Sequence, residues 1–166
     1  MGRIHDAAFE GDIITVKQLL EEAPTLLMST NDKGELPIHL AAGKGQIEIV
    51  KLLLDKGCPV DAQVQHQYEN DTPLYQAACY GKKEVVAYLL DKGADPSVKN
   101  KQNKTPYQIT KEKSAYHQQN EETTKLMEQR GAAIKGAGGC GIISTLIIVS
   151  MALMLIICTK LITYIH

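Results

Sequence analysis

The chain has 166 residues, a length that fits one domain, and a formal net charge of −1. A near-neutral charge argues against nucleic-acid binding, which needs a basic surface, and a chain with no Trp and a single Phe offers no evident platform for stacking bases. The 4 cysteines include no CxxC pair, so a disulfide framework is not expected and reduced thiols in a cytosolic compartment fit better.

A recurring pattern occupies the chain before residue 136. Glycines at positions 11, 45 and 81 are spaced by 34 and 36 residues, and the Thr-Pro pair at 105 follows the one at 72 by 33. Such a period is the signature of a repeat architecture, in which each short unit buries its apolar face against its neighbours. An apolar pattern with helical spacing follows each glycine, over Ile13–Leu20, Ile47–Leu54 and Val85–Leu90.

Local residue choices predict where these helices begin and end. Thr72 and Thr105 suit the N-cap position because a hydroxyl can accept a backbone N–H, and the proline after each fits the first helical turn. Gly57 and Gly93 follow apolar patterns, where a left-handed residue ends a helix. Residue types that tolerate a positive φ angle stand at one shared turn position: Gly34, Asn70 and Asn103.

The segment from Asn31 to Gly57, NDKGELPIHLAAGKGQIEIVKLLLDKG, carries the pattern most clearly, and TPLY at 72–75 and GADP at 93–96 repeat parts of it. In these motifs the chain resembles the ankyrin-repeat family, over about residues 3–131. The resemblance implies an all-α repeat solenoid of paired antiparallel helices with β-hairpin-like turns. It divides an ankyrin-repeat domain, 1–132, into about four repeats, of which the last is polar enough to be a cap: 1–30, 31–64, 65–99 and 100–132.

The resemblance also implies a structural role for histidine. His5 and His39 stand where the family uses a ring nitrogen to tie the turn, and Tyr75 and Tyr107 replace this histidine in later repeats. No catalytic motif or metal-ligand spacing is evident. We therefore predict a protein that is not an enzyme, has no cofactor or metal, and shows no evident small-molecule substrate.

Ankyrin modules bind partners through their turn tips and inner helices. The resemblance therefore implies that the matching positions of this chain are candidate partner-binding residues. The aromatic candidates Phe9, Tyr68 and Tyr80 are favoured as interface anchors, although a neighbouring repeat could instead cover each ring. Extra residues within 65–70 predict a longer, partner-specific tip. The full set of predicted partner-binding residues is Phe9, Asp32, Lys33, Glu35, Lys44, Tyr68, Glu69, Asp71, Tyr80, Lys101, Gln102 and Lys104.

A glycine-rich hinge is predicted over residues 133–141, where GAGGCG favours a flexible chain. Cys140 lies at the end of this hinge, next to a long apolar run. Such a juxtamembrane cysteine is a candidate for lipidation, and an unmodified thiol in a linker of small residues is the alternative.

The apolar run predicts a transmembrane helix over residues 142–164. The stretch from Gly136 to His166 holds a single charged residue, Lys160, near one end of the run, so its side chain can reach the interface. At about 1.5 Å per residue this helix is long enough to cross a bilayer core of roughly 30 Å. Basic residues before the run favour a single-pass membrane protein with a cytosolic N-terminal domain, and the short segment after it predicts a tail anchor.

These features predict a non-enzymatic protein-interaction module, tethered to a membrane, that recruits or scaffolds another protein. Two alternatives stay open. The chain could be a structural or regulatory subunit of a membrane complex whose C-terminal helix packs on other helices, or a secreted bacterial effector that acts on a host membrane. The lipid bilayer and one protein partner are the expected binding partners.

Overall fold

The regular structure in the described part of the chain is helical. The computed structural model describes residues 2–64, 71–114 and 118–131, and these three ranges contain no β-strand. Within them lie eight α-helices and one 3-10 helix, Pro24–Met28. The α-helices are α1 (Arg3–Glu10), α2 (Ile13–Glu22), α3 (Pro37–Lys44), α4 (Ile47–Asp55), α5 (Pro73–Cys79), α6 (Lys83–Asp91), α7 (Pro106–Ser114) and α8 (Gln118–Gln129).

The helices are stacked in consecutive pairs. In each pair the two helices contact each other, α1 with α2 and so on to α7 with α8. The odd-numbered helices, here called the inner helices, form one row, in which α3 packs between α1 and α5, and α5 packs against α7. The even-numbered outer helices form a second row with looser contacts. This arrangement agrees with the predicted all-α repeat solenoid.

Small residues allow the inner helices to approach closely. The alanine pairs at 41–42 and 77–78 are fully buried between neighbouring helices. Leu53 of α4 and Leu89 of α6 are also fully buried and close the core from the outer row. Burial of each leucine contributes on the order of 1.5–3 kcal/mol, so stacking supplies the core that a single helix pair lacks.

Threonine caps start two of the inner helices, as the sequence predicts. The Thr72 hydroxyl accepts a hydrogen bond from the Tyr75 N–H at 3.2 Å, and the Thr105 hydroxyl accepts one from the Gln108 N–H at 3.3 Å. A proline follows each threonine at the first helical position, where its missing N–H is not needed.

Histidine ties the start of an inner helix to the segment that follows the outer helix of the same repeat. Nδ1 of His39 accepts the Leu36 N–H at 3.1 Å, so Nε2 carries the proton and donates to the Ala62 carbonyl at 2.8 Å. Nε2 of His5 lies 3.0 Å from the Ser29 carbonyl, the corresponding partner in the first repeat. These bonds confirm the structural role that the resemblance implies for both residues.

In the fourth pair the histidine position holds a glutamine. Oε1 of Gln108 accepts the Thr105 N–H at 2.9 Å, as the His39 ring does for Leu36. The assignment of Tyr107 to this position is therefore wrong by one residue. The Tyr107 hydroxyl instead donates to Glu128 of α8 at 2.9 Å.

The turns before α3 and α7 are hairpin-like. The Asn31 N–H donates to the Glu35 carbonyl, and the Asn100 N–H donates to the Lys104 carbonyl, both at 3.0 Å. Gly34 has a φ of 73° and Asn103 a φ of 62° at the same turn position. The expected positive φ is thus confirmed at these two residues, where most side chains would be strained.

The last outer helix, α8, runs from Gln118 to Gln129, and Gly131 lies beyond its end with a φ of 70°. Its buried positions include polar residues whose hydrogen bonds are made within the fold. The Thr124 hydroxyl donates to the Asn120 carbonyl at 2.7 Å, and the Asn120 amide donates to the Cys79 carbonyl at 3.4 Å.

Several predicted features fall outside the described residues. They are the longer tip at 65–70 with Tyr68 and Glu69, the hinge at 133–141 with Cys140, and the transmembrane helix at 142–164. In the part of the chain that the structure describes, no helix is both long and apolar enough to cross a membrane.

Candidate protein-binding groove

The inner helices and the adjoining turns surround an open groove with a volume of about 940 Å³. Side chains from four consecutive repeats line it, so the stacking of the repeats creates the groove. The lining residues are Phe9, Lys33, Glu35, His39, Leu40, Gly43, Lys44, Gln76, Cys79, Tyr80, Lys82, Lys113, Gln118 and Asn120.

Tyr80 is the most exposed aromatic side chain of the groove. It follows α5, 55% of its surface is exposed, and its ring lies against Gly43 of α3. A Cβ atom on Gly43 would lie only 3.3 Å from Cδ2 of this ring. The absence of a side chain at Gly43 therefore lets the ring lie close to the groove floor.

Lysine side chains accompany both aromatic rings of the groove. Nζ of Lys44 lies 3.9 Å from the centre of the Phe9 ring, and Nζ of Lys113 lies 5.4 Å from the centre of the Tyr80 ring. Nζ of Lys113 also donates to Sγ of Cys79 at 2.8 Å. Such cation–π contacts contribute about 0.5–1 kcal/mol each at exposed sites, so they orient the lysines without burying them.

Five of the predicted partner-binding residues lie together in this groove: Phe9, Lys33, Glu35, Lys44 and Tyr80. Asp32, Lys101 and Gln102 are exposed on turns but do not line it. Lys104 forms an ion pair with Glu112 of α7 at 2.6 Å. Its ammonium group therefore has an internal partner, although a role at the partner surface stays a prediction.

Asp71 is the predicted tip residue that the structure locates in the interior. It is 7% exposed, and its Oδ2 accepts a hydrogen bond from the Gln76 amide at 3.2 Å. Its backbone carbonyl accepts the Val64 N–H at 3.0 Å, which closes the base of the turn. The carboxylate therefore serves internal contacts.

Two groove lysines, Lys82 and Lys113, are absent from the residues predicted by sequence. Lys113 follows Tyr80 by 33 residues, the spacing between the two capping threonines, so the repeat register could have identified it. Lys82 carries no such signal. It follows α5, and its stem extends over Gly45, where a Cβ atom would lie 3.0 Å from Cδ of the lysine.

The described side chains offer little reactive chemistry. Across residues 2–64, 71–114 and 118–131, no three His, Cys, Asp or Glu side chains are grouped to hold a metal ion. Burial raises the pKa of the Cys58 thiol to about 11, and burial lowers the pKa of the His39 imidazole. Both groups are therefore held in their neutral forms, which suits a structural role.

A family model described as ankyrin repeats, in three copies, matches residues 4–100. The chain therefore belongs to the ankyrin-repeat family, which is generally a non-enzymatic interaction domain. The match covers the first three helix pairs and ends before α7.

Short stretches of the chain are also similar to parts of larger proteins. A stretch of 62 residues is 40% identical to the probable E3 ubiquitin-protein ligase XBOS33 of Oryza sativa subsp. japonica, covering 37% of this chain and 12% of that protein. Stretches of 56 residues are 41% identical to the NAD-capped RNA hydrolase NUDT12 of Homo sapiens and to the serine/threonine-protein kinase VIK of Arabidopsis thaliana. Each covers 34% of this chain, with 12% of the hydrolase and 13% of the kinase. The chain thus spans about an eighth of these relatives, and the enzymatic names belong to proteins that it matches only in part.

Proposed function

We propose that the protein is a non-enzymatic binding module that holds a partner protein at a membrane surface. The observation that carries the proposal is the groove of the inner helices, in which Tyr80 is 55% exposed and shares the lining with lysine side chains. Exposed aromatic side chains in concave surfaces are over-represented among the anchors of protein interfaces. Membership of the ankyrin-repeat family supports the same conclusion, because the family generally binds proteins.

The membrane attachment in this proposal is residues 142–164. Its support is the sequence, in which one charged residue, Lys160, occurs between Gly136 and His166. A tether raises the effective concentration of the module for any partner at the same membrane, so that modest contacts in the groove become sufficient.

Proximity labelling tests the proposal. The labelling enzyme is fused to the N-terminus of the full chain, and its neighbours are compared for the natural chain and for a variant that lacks residues 142–164. We expect the natural chain to resist alkaline extraction from membranes and to label a small set of membrane-associated proteins. The deletion should release the chain and lose these neighbours. Neighbours that persist after the deletion would contradict recruitment at a membrane.

A second variant separates this proposal from the alternative of a packed subunit. In it an unrelated apolar helix of equal length replaces residues 142–164. A tether keeps its neighbours after this replacement, because only hydrophobicity and length matter. A helix that packs specifically on other membrane helices loses them, since its contacts depend on its own residues.

A further inference from the structure

Positive charge is concentrated in the groove. Its lining includes four lysines and one glutamate, an excess of three positive charges, whereas the whole chain has a net charge of −1. We call these four residues the groove lysines: Lys33, Lys44, Lys82 and Lys113. Their clustering on one concave surface contrasts with the near-neutral balance of the chain.

The groove lysines have no carboxylate partner in the described part of the molecule. None of their ammonium groups lies within 4.0 Å of a described carboxylate, although ion pairs are common on the rest of the surface. Five of those pairs are Lys51–Glu48, Lys83–Glu122, Lys104–Glu112, Lys125–Glu121 and Arg130–Asp91. The described residues therefore supply no ion pair that balances the positive charge of the groove.

Nearby carboxylates are committed to other contacts. Glu35, the acidic residue among the described residues of the lining, accepts a hydrogen bond from the Asn31 amide at 2.9 Å within its own turn. Glu112, which precedes Lys113 on α7, pairs with Lys104 at 2.6 Å. Binding of an external anion can therefore use the groove lysines without breaking an existing ion pair.

Apolar surface lies between these charges. The Phe9 and Tyr80 rings each have one lysine ammonium above them, and Leu40, which is half-buried, also lines the groove. A ligand that fits this surface combines carboxylates with at least one apolar side chain. That combination is typical of a peptide segment and differs from a simple anion.

We propose that the groove binds an acidic segment of a partner protein, with carboxylates on the groove lysines and an apolar side chain against Tyr80 and Leu40. This inference rests on the proposed function and specifies its partner by charge. A flat bilayer surface is disfavoured because the groove lysines line a concave surface. Nucleic acid is disfavoured because four lysines form a small basic footprint on a chain whose net charge is −1.

Selection from a library of random 12-residue peptides tests this inference. The target is the full chain in mild detergent at low salt, and the affinities of the enriched peptides are then measured by fluorescence polarisation. We expect the enriched peptides to carry a net negative charge and an aromatic or leucine residue. Their binding should weaken as salt rises, because salt screens contacts between exposed charges over about 8–10 Å at physiological strength.

Charge variants identify the surface. The double variant Lys44→Glu/Lys113→Glu should weaken the selected peptides about tenfold or more, and the neutral Lys44→Gln/Lys113→Gln about threefold. The matched control is Lys17→Glu/Lys56→Glu, on exposed lysines outside the groove, which makes the same change in net charge. We expect less than a twofold effect from this control. Circular dichroism at increasing temperature verifies that all the variants are folded.

Three results would overturn the inference: enrichment of neutral or basic peptides, no enrichment at all, or equal losses in the groove variant and its control. Phosphatidylserine vesicles, added to the chain without residues 142–164, test whether the groove binds lipid headgroups instead of a peptide. Vesicle binding that depends on Lys44 and Lys113, without peptide binding, would assign the groove to lipid headgroups. Proximity labelling keeps the two proposals distinguishable. If Lys44→Glu/Lys113→Glu retains the membrane-associated neighbours, the proposal of an acidic partner segment is wrong, and the proposal of a membrane-tethered binding module is unaffected.

Discussion

The imidazole of His39 lies 2.8 Å from the carbonyl oxygen of Ala62, which is 23 residues further along the chain, and its other nitrogen accepts the N–H of Leu36. One ring therefore joins the start of α3 to the segment that follows α4. His39 is 1% exposed, so water cannot replace either bond. The position of the α3 helix in the stack, and with it the floor of the groove, depends on this side chain.

Replacement of His39 by alanine should strongly destabilise the protein. The Leu36 N–H and the Ala62 carbonyl would lose buried partners, each at about 1–3 kcal/mol, so we expect a loss of about 2–4 kcal/mol in the free energy of unfolding. His39→Gln is the matched control. In the fourth pair Gln108 accepts the Thr105 N–H, which is the bond that His39 makes with the Leu36 N–H. This variant should recover part of the loss. Urea unfolding of the full chain in mild detergent measures both; equal stability of His39→Ala and the natural chain would refute this role.

The same residue should make stability depend on pH. Burial lowers the pKa of His39 in the folded chain below its ordinary value of 6.5. As pH falls from 7, the unfolded chain therefore takes up a proton before the folded one does. The free energy of unfolding is fully maintained above about pH 6.5 and falls toward the folded-state pKa, by at most about 1.4 kcal/mol per pH unit. The difference in the free energy of unfolding between the natural chain and His39→Gln, measured from pH 8 to 5, should show this slope. A difference that stays constant with pH would contradict the prediction.

Features that depend on one residue type at one position are readable from the sequence. Thr72 caps α5 and Asn103 adopts a positive φ because hydrogen-bonding and steric preferences act locally. The locations of Lys82 and Asp71 could not be predicted in this way. Lys82 reaches the groove because the neighbouring repeat has a glycine at 45, and Asp71 is interior because the Gln76 amide bonds its carboxylate. Both facts depend on how elements lie against one another.

Cys58 should react slowly with alkylating reagents. It is 5% exposed, and burial raises its pKa from 9.0 to about 11, so at pH 8 its thiolate fraction is about a hundredfold smaller than that of an ordinary thiol. Cys79, which is half-buried, is the internal comparison. Iodoacetamide labelling followed by peptide mass spectrometry should find Cys79 modified well before Cys58. Similar rates at the two sites would mean that the core around Cys58 opens readily.

Removal of the Tyr80 ring should reduce binding strongly and stability only slightly. Because the side chain is 55% exposed, we expect Tyr80→Ala to lower the free energy of unfolding by only about 1 kcal/mol, which includes the lost contact with Lys113. Loss of an interface anchor should nevertheless remove most of the membrane-associated neighbours in proximity labelling. Ile14→Ala, at a side chain that is 68% exposed on α2, is the matched control and should leave the neighbours unchanged. Unchanged labelling by Tyr80→Ala would exclude the ring as an anchor.

The same substitution at two glycines should have opposite effects on stability. Gly43 lies within α3, where alanine is favoured over glycine by about 0.5–1 kcal/mol. The atoms nearest to its new Cβ would belong to movable side chains, the Tyr80 ring at 3.3 Å and Gln76 beyond it. Gly57 ends α4 with a φ of 95°, where a side chain costs roughly 1–2 kcal/mol.

Gly43→Ala should therefore keep or raise the unfolding temperature of the full chain, whereas Gly57→Ala should lower it. For peptide binding in the groove, we expect the opposite order of effects. Displacement of the Tyr80 ring by Gly43→Ala should weaken selected acidic peptides several-fold, and Gly57→Ala, which lies outside the lining, should bind them normally while folded. Thermal unfolding and fluorescence polarisation on the same samples measure both effects. Normal peptide binding by Gly43→Ala would mean that the position of the Tyr80 ring does not control access to the groove.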